Sequence, residues 1–161
     1  NAYSENYTNE EIKEIKQAMI RAVESPKITD SLYMELTSKK SPTALVTAYI
    51  GTLEALKAKH SWNPYNKMKF VAQSQKTLQN AIEKDPHNIE IRFMRFSIQH
   101  FTPAFLGYSK ELSIDRKEIV KLFKRKSFGV ADSGLISNIA KFMIDSKRCS
   151  PADLAVLKSF V

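Results

Sequence analysis

The sequence predicts an all-α protein built from antiparallel helical hairpins. Three observations carry that expectation. Apolar residues recur at three- and four-residue spacing along most of the chain, and no segment alternates apolar and polar residues cleanly over five positions. Proline directly follows a good capping residue at Ser41-Pro42, Asn63-Pro64 and Ser150-Pro151, where it loses only an N–H that has no helical partner. Glycine occurs 4 times in 161 residues, about a third of the usual ~7%, and positions 51, 107, 129 and 134 match neither a dinucleotide nor a Walker fingerprint.

The elements follow in order. A first helix is expected over about 9–24, opened by a capping box of Thr8 and Glu11, with Ile12, Ile15, Met19 and Val23 as its apolar stripe. Ser25-Pro26 reads as its stop, because a residue before proline is pushed out of the helical region. A short helix over about 30–38 follows, with Leu32 and Leu36 on one face. The third helix is expected from Pro42 to about 59, and the fourth from Pro64 to about 84, with Met68, Val71, Leu78, Ala81 and Ile82 inward. The short connection His60–Asn63 makes these two a hairpin. Helix five, about 88–101, carries Ile91, Met94, Ile98 and Phe101 on its apolar side. A turn of helix at 103–110 precedes a helix of about 115–126, capped by Asp115 or Ser113. Gly129 suits a left-handed position. Asp132 or Ser133 opens a helix to about 147, and Ser150, Pro151 and Asp153 open the last one.

The composition, 43% hydrophobic and 26% charged, is that of an ordinary globular chain and excludes collagen-like or fully disordered classes. A chain of this length forms one domain, 1–161, and needs no disulfide or metal staple. The single cysteine, Cys149, cannot form an internal disulfide. No run of 18 apolar residues is present to span a membrane. Asn1-Ala2 reads as the remnant of a cleaved tag, with native sequence from Tyr3. Trimming there fits removal of a signal peptide or of a disordered tail, and an exported, periplasmic location is favoured over the cytoplasm.

The segment Leu78-Gln-Asn-Ala81-Ile82-Glu-Lys-Asp85-Pro86-His-Asn88 resembles the end of a tetratricopeptide repeat. There a helix closes with a small and an apolar residue before an Asp-Pro-x-Asn turn that caps the next helix. The resemblance implies a right-handed α-α superhelix, with a tetratricopeptide-like core over about 42–124. The unit from Pro42 to Pro86 is longer than that family's repeat, and the family's Trp and Gly-Tyr positions are not matched. The chain is also similar to small uncharacterised helical proteins of Bacteroidetes-type bacteria that share a Trp-Asn-Pro-Tyr and an Asp-Pro-x-Asn turn.

Four groups of residues could carry function. His60, His87 and His100 fall at helix ends and share no metal-ligand spacing; with Cys149 they make no recognisable nucleophile pair. No metal, cofactor or catalytic residue is implied. Residues 1–60 hold eight basic and eight acidic side chains, so the whole net charge of +8 lies in 61–161. Lys117, Lys121 and Lys124, with Arg125 and Lys126, give one helix a basic face. That face is either a site for phosphate, acidic lipid or an acidic protein segment, or a solvated surface with lysines suited to the helix dipole; the second reading is preferred. Aromatic residues are not interleaved with it as a nucleic-acid platform requires.

On helix five, Asn88, Arg92, Arg95 and Gln99 recur at 0, +4, +7 and +11. This polar stripe either lines a concave groove and clamps a carboxylate, or is an exposed surface paired locally with Glu90 or helix four. Trp62 and Tyr65, in Trp62-Asn63-Pro64-Tyr65, are either an aromatic lip for a ligand or, as preferred, aromatics that cover the hairpin end. The functional expectation is a non-catalytic module that binds a protein or peptide, possessing acidic groups or not. A small helical enzyme or ligand carrier with a hidden pocket, and a basic module on an anionic surface or nucleic acid, are the alternatives.

Overall fold

A computed structural model describes residues 7–161; the readings placed on Asn1, Ala2 and Tyr3 lie outside the described residues. The described residues form eight α-helices and two short 3-10 turns, with no strand. The fold is thus all-α with packed helix pairs. One domain is the expectation from length; the contacts group the chain into two compact units, one ending at Lys84 and the other spanning Asp85–Val161.

In the first unit, α1 (Asn9–Ala22) opens at the predicted capping box. Thr8 Oγ1 accepts from the Glu11 amide at 3.1 Å, and Glu11 Oε1 accepts from the Thr8 amide at 3.1 Å. The helix stops at Ala22, which is buried, and leaves Val23 outside. Ser25-Pro26 is not the simple stop expected from the sequence. Ser25 Oγ accepts from the Ile28 amide at 3.1 Å, so the dipeptide opens α2 (Pro26–Thr37) with proline in its first turn. Ser41-Pro42 departs the other way: Ser41 is left-handed at φ 55°, and Thr43 caps α3 (Ala44–His60) instead.

Helix α3 is buried on most of its circumference, as a central helix with apolar residues on every side must be. Its partner α4 (Pro64–Lys84) starts as expected, with Asn63 Oδ1 accepting from the Tyr65 amide at 2.8 Å. Three bonds set the register of this pair. Lys67 Nζ donates to the Ala58 carbonyl at 3.1 Å, Ser74 Oγ to the Gly51 carbonyl at 2.6 Å, and Lys84 Nζ to Thr47 Oγ1 at 3.2 Å. Numbers fall along α3 as they rise along α4, so the pair is antiparallel. Gly51 lets the two backbones approach: a Cβ there would lie 2.9 Å from Leu78 Cγ and 3.3 Å from the Leu78 amide nitrogen.

Glu54 of α3 is a charge-bearing group inside this unit, only 1% exposed. Tyr33 Oη donates to its Oε2 at 3.2 Å, while Oε1 is buried without a donor. Burial pushes the Glu54 carboxyl above the usual carboxylate range, against the weaker opposing influence of Thr77, whose hydroxyl proton is committed to the Gln73 carbonyl at 3.0 Å. Burial first, and the Glu54 charge second, push the Tyr33 phenol up in turn.

In the second unit, α5 (Ile89–Phe101) is followed by a 3-10 turn (Ala104–Leu106), α6 (Leu112–Lys124), α7 (Ser133–Asp145), α8 (Pro151–Leu157) and a final 3-10 turn (Lys158–Phe160). Asn88 caps α5, its Oδ1 accepting from the amides of Glu90 and Ile91 at 3.0 and 3.2 Å. Phe96, Ile119, Phe123, Ile139, Met143 and Leu157 are central to one apolar core. Phe123, Phe128 and Phe160 close one side of it with edge-to-face ring contacts at 5.0–5.5 Å. Gly129 is left-handed as expected, at φ 56°, but the end of α6 is set earlier, by Lys126. Lys126 is left-handed at φ 51°, and Ser127 N–H and Lys126 N–H return to the carbonyls of Leu122 and Phe123 at 2.9 and 3.1 Å. This is a Schellman closure in the position where glycine is the usual occupant.

Two stability outcomes follow from the first unit. Gly51→Ala gains up to about 1 kcal/mol of helix propensity but forces Leu78 aside in a packed seam at a cost of ~1–3 kcal/mol, so urea denaturation should show net destabilisation of about 1–2 kcal/mol. Because folding raises the Glu54 carboxyl, its stability contribution is fully present below the ordinary glutamate range and is lost as pH rises through the folded value. Glu54→Gln should therefore raise stability at neutral pH and flatten the pH slope above the ordinary glutamate range; urea midpoints measured across weakly acidic to neutral pH check this.

Candidate functional site

The polar stripe of α5 does not line an open groove. Asp115 of α6, fully buried, accepts from Arg95 Nε at 2.7 Å and Nη2 at 2.8 Å, and from Arg92 Nη1 at 3.0 Å. Arg92 Nε donates to the Pro86 carbonyl at 2.8 Å, and Gln99 Nε2 to Glu111 Oε2 at 2.7 Å. His87 Nδ1 meets Glu118 Oε1 at 2.7 Å. Residues 87, 92–95 and 99 of one segment thus face 118, 115 and 111 of the other, an antiparallel pairing. Arg92, Arg95 and Gln99 are buried. This corrects the expectation that the stripe presents free guanidinium groups to a partner. It also corrects the alternative of an exposed stripe, since Arg92, Arg95 and Gln99 are buried and bonded to Asp115 and Glu111 of the α6 segment. Asp115 caps nothing: α6 starts three residues earlier, and its N-cap Glu111 makes no side-chain capping bond.

A different set of residues converges at the end of this pair. The end of α5, the 102–110 segment, the start of α6 and Arg148 line an open cleft of about 680 Å³. Its walls include Lys110, Arg116 and Arg148, the hydroxyls of Ser109 and Ser113, and His100; no carboxylate lines it. Arg116 is held in place, Nη1 donating to Asp153 Oδ2 at 3.0 Å and Nη2 reaching Ser113 Oγ at 3.4 Å. Arg148 Nε donates to His100 Nδ1 at 2.9 Å. His100 is therefore the tautomer that carries its proton on Nε2. Burial, then the Arg148 charge, lower its tendency to protonate, so the ring stays neutral at neutral pH. No sequence motif marks this cleft, because its lining comes from short stretches far apart in the chain.

The basic residues Lys117, Lys121, Lys124, Arg125 and Lys126 are all exposed. Their neighbours on α6 are engaged elsewhere, Arg116 with Asp153 and Glu118 with His87; among the described residues no ion pair neutralises the five. In the first unit, Trp62 is 97% exposed and Tyr65 74%. The preferred reading of these two as a buried cover for the hairpin end is thereby corrected: α4 begins with both rings in solvent, followed by Met68, which was expected inward and is also exposed. His60 Nε2 meets the Ala22 carbonyl at 3.0 Å. Cys149 is half-buried, its Sγ donating to the Met143 carbonyl at 3.5 Å, and burial pushes the thiol up, away from a reactive thiolate. Among the described residues no three His, Cys, Asp or Glu side chains converge in a way that could hold a metal ion, and no helix is long and apolar enough to cross a membrane.

No family model, no curated protein and no solved structure matches this chain. The class of protein is therefore defined by fold and surface alone: an all-helical chain whose second unit carries an uncompensated basic helix face beside a cationic cleft.

The buried cluster has a direct consequence. Asp115→Ala leaves two buried guanidinium groups without their counter-charge, and equilibrium denaturation should show a loss of about 3–5 kcal/mol.

Proposed function

We propose that this chain is a non-catalytic binding module that takes an acidic segment of a protein partner along the outer face of α6. The observation that carries the reading is the row Lys117, Lys121 and Lys124, continued by Arg125 and Lys126, exposed and without an ion pair. Single exposed pairs contribute roughly 0–1 kcal/mol each, so only a segment with several carboxylates gains a useful affinity there. Aromatic rings do not alternate with the basic residues, which favours acidic protein over nucleic acid as the occupant. The reading retains the expectation drawn from residues 78–88, a right-handed, tetratricopeptide-like stacking of hairpins in a protein-binding role.

The test is fluorescence anisotropy of a labelled oligoglutamate peptide. The expected result is binding that weakens steeply with salt and is lost in Lys117→Glu, Lys121→Glu, Lys124→Glu, whose substituted positions are exposed and leave helical circular dichroism unchanged. Equal binding by the triple variant, or tighter binding of duplex DNA or anionic vesicles at matched charge, would overturn the reading.

A further inference from the structure

We propose that the cleft at the start of α6 is a binding site for a small phosphorylated molecule, separate from the basic outer face. The volume of about 680 Å³ lies within the range of roughly 300–1,000 Å³ typical of ligand clefts, and is far more than a bare ion needs. Its charge is one-sided: Lys110, Arg116 and Arg148 line it and no carboxylate does. Asp153 answers Arg116 from behind the wall and also accepts from the Ser150 amide at 3.1 Å. Arg148 spends only Nε, on the neutral His100, which leaves the Nη1 and Nη2 edge of the guanidinium open. Lys110 is exposed and has no acidic partner among the described residues.

The occupant follows from this donor set. With Arg116 already answered by Asp153, a single carboxylate would satisfy the Arg148 fork and leave Lys110 uncompensated. A phosphate group carries more than one negative charge and offers oxygens in three directions, which suits a fork, an ammonium and the hydroxyls of Ser109 and Ser113 together. His100 adds a neutral ring whose proton is on Nε2, a donor with no acceptor function to repel an anion. The open side of the cleft leaves room for the organic portion of the ligand.

Isothermal titration calorimetry with inorganic pyrophosphate at fixed ionic strength tests the proposal, with citrate as the carboxylate comparison. Wild-type protein should bind pyrophosphate more tightly than citrate. Lys110→Ala with Arg148→Ala, two exposed positions outside the core, should weaken pyrophosphate about tenfold or more with an unchanged melting temperature. The triple α6 variant Lys117→Glu, Lys121→Glu, Lys124→Glu should retain pyrophosphate binding, which separates this site from the oligoglutamate face. Absence of pyrophosphate binding by the wild type, equal affinity in the double variant, equal affinity for citrate, or loss only in the α6 triple variant each overturns it.

Discussion

Asp115 sits at zero exposure with three charge-assisted bonds from Arg92 and Arg95, and the second unit is organised around satisfying it. Removing a carboxylate from water costs several kcal/mol, and only close, multiple partners offset that cost. Both arginines are therefore drawn inward, which fixes the rotation of α5 about its own axis. The position of α6 along α5 is fixed as well. Apolar contacts tolerate a slide of one helical turn, whereas such a slide would leave a carboxylate and two guanidinium groups buried without partners. Gln99 with Glu111 and His87 with Glu118 continue the same register towards the two ends.

The first unit meets the problem of register without a buried ion pair. Gly51 removes a side chain where α3 and α4 approach, Leu78 fills the space, and the Ser74 hydroxyl ties the pair with a short bond to the Gly51 carbonyl. A larger residue at either position would separate the backbones and lift Leu78 out of the seam. Glu54 is the carboxylate among the buried residues of this interior, whose other buried polar groups include Thr29, Thr47 and Ser74. Its cost is moderated by Tyr33 and by its readiness to hold a proton, not by a counter-charge in contact.

Helices were legible in the sequence where the signal is local. The Thr8–Glu11 and Ser150–Asp153 capping boxes and the Asn63-Pro64 start are matters of a few neighbouring residues, and each is found where the spacing places it. Ser25-Pro26 misleads because the same dipeptide ends one helix and opens the next, and only the Ser25–Ile28 bond distinguishes the two roles. The inward side of α5 was legible only in part, Ile91 being fully buried as expected. Ile91, Met94, Ile98 and Phe101 satisfy helical spacing, yet Phe101 is exposed and the polar stripe is buried, because a counter-charge 20 residues beyond Arg95 decides the outcome. Asp115 itself reads as a helix cap from its position near a predicted helix start. The cleft was invisible for a related reason: its cations lie apart in sequence and acquire meaning only when α5, α6 and Arg148 come together.

The kind of cation differs between interior and surface. Buried Asp115 is met by Arg92 and Arg95, and half-buried Asp153 by Arg116, where a planar fork matches a carboxylate and loses little freedom in doing so. The exposed row on α6 is largely lysine, a strongly hydrated point charge on a mobile stem. Lysines of this kind attract an anionic partner from a distance and raise its encounter rate, but they select poorly among partners of similar charge. Selectivity needs fixed donors with defined direction. In this unit those are the guanidinium groups beside the cleft, with Arg116 held by Asp153 and Arg148 held by His100. In the proposed reading, long-range attraction along α6 is separate from directional recognition at its start, and the two can be altered independently because Lys117, Lys121 and Lys124 take no part in the ion pairs found among the described residues.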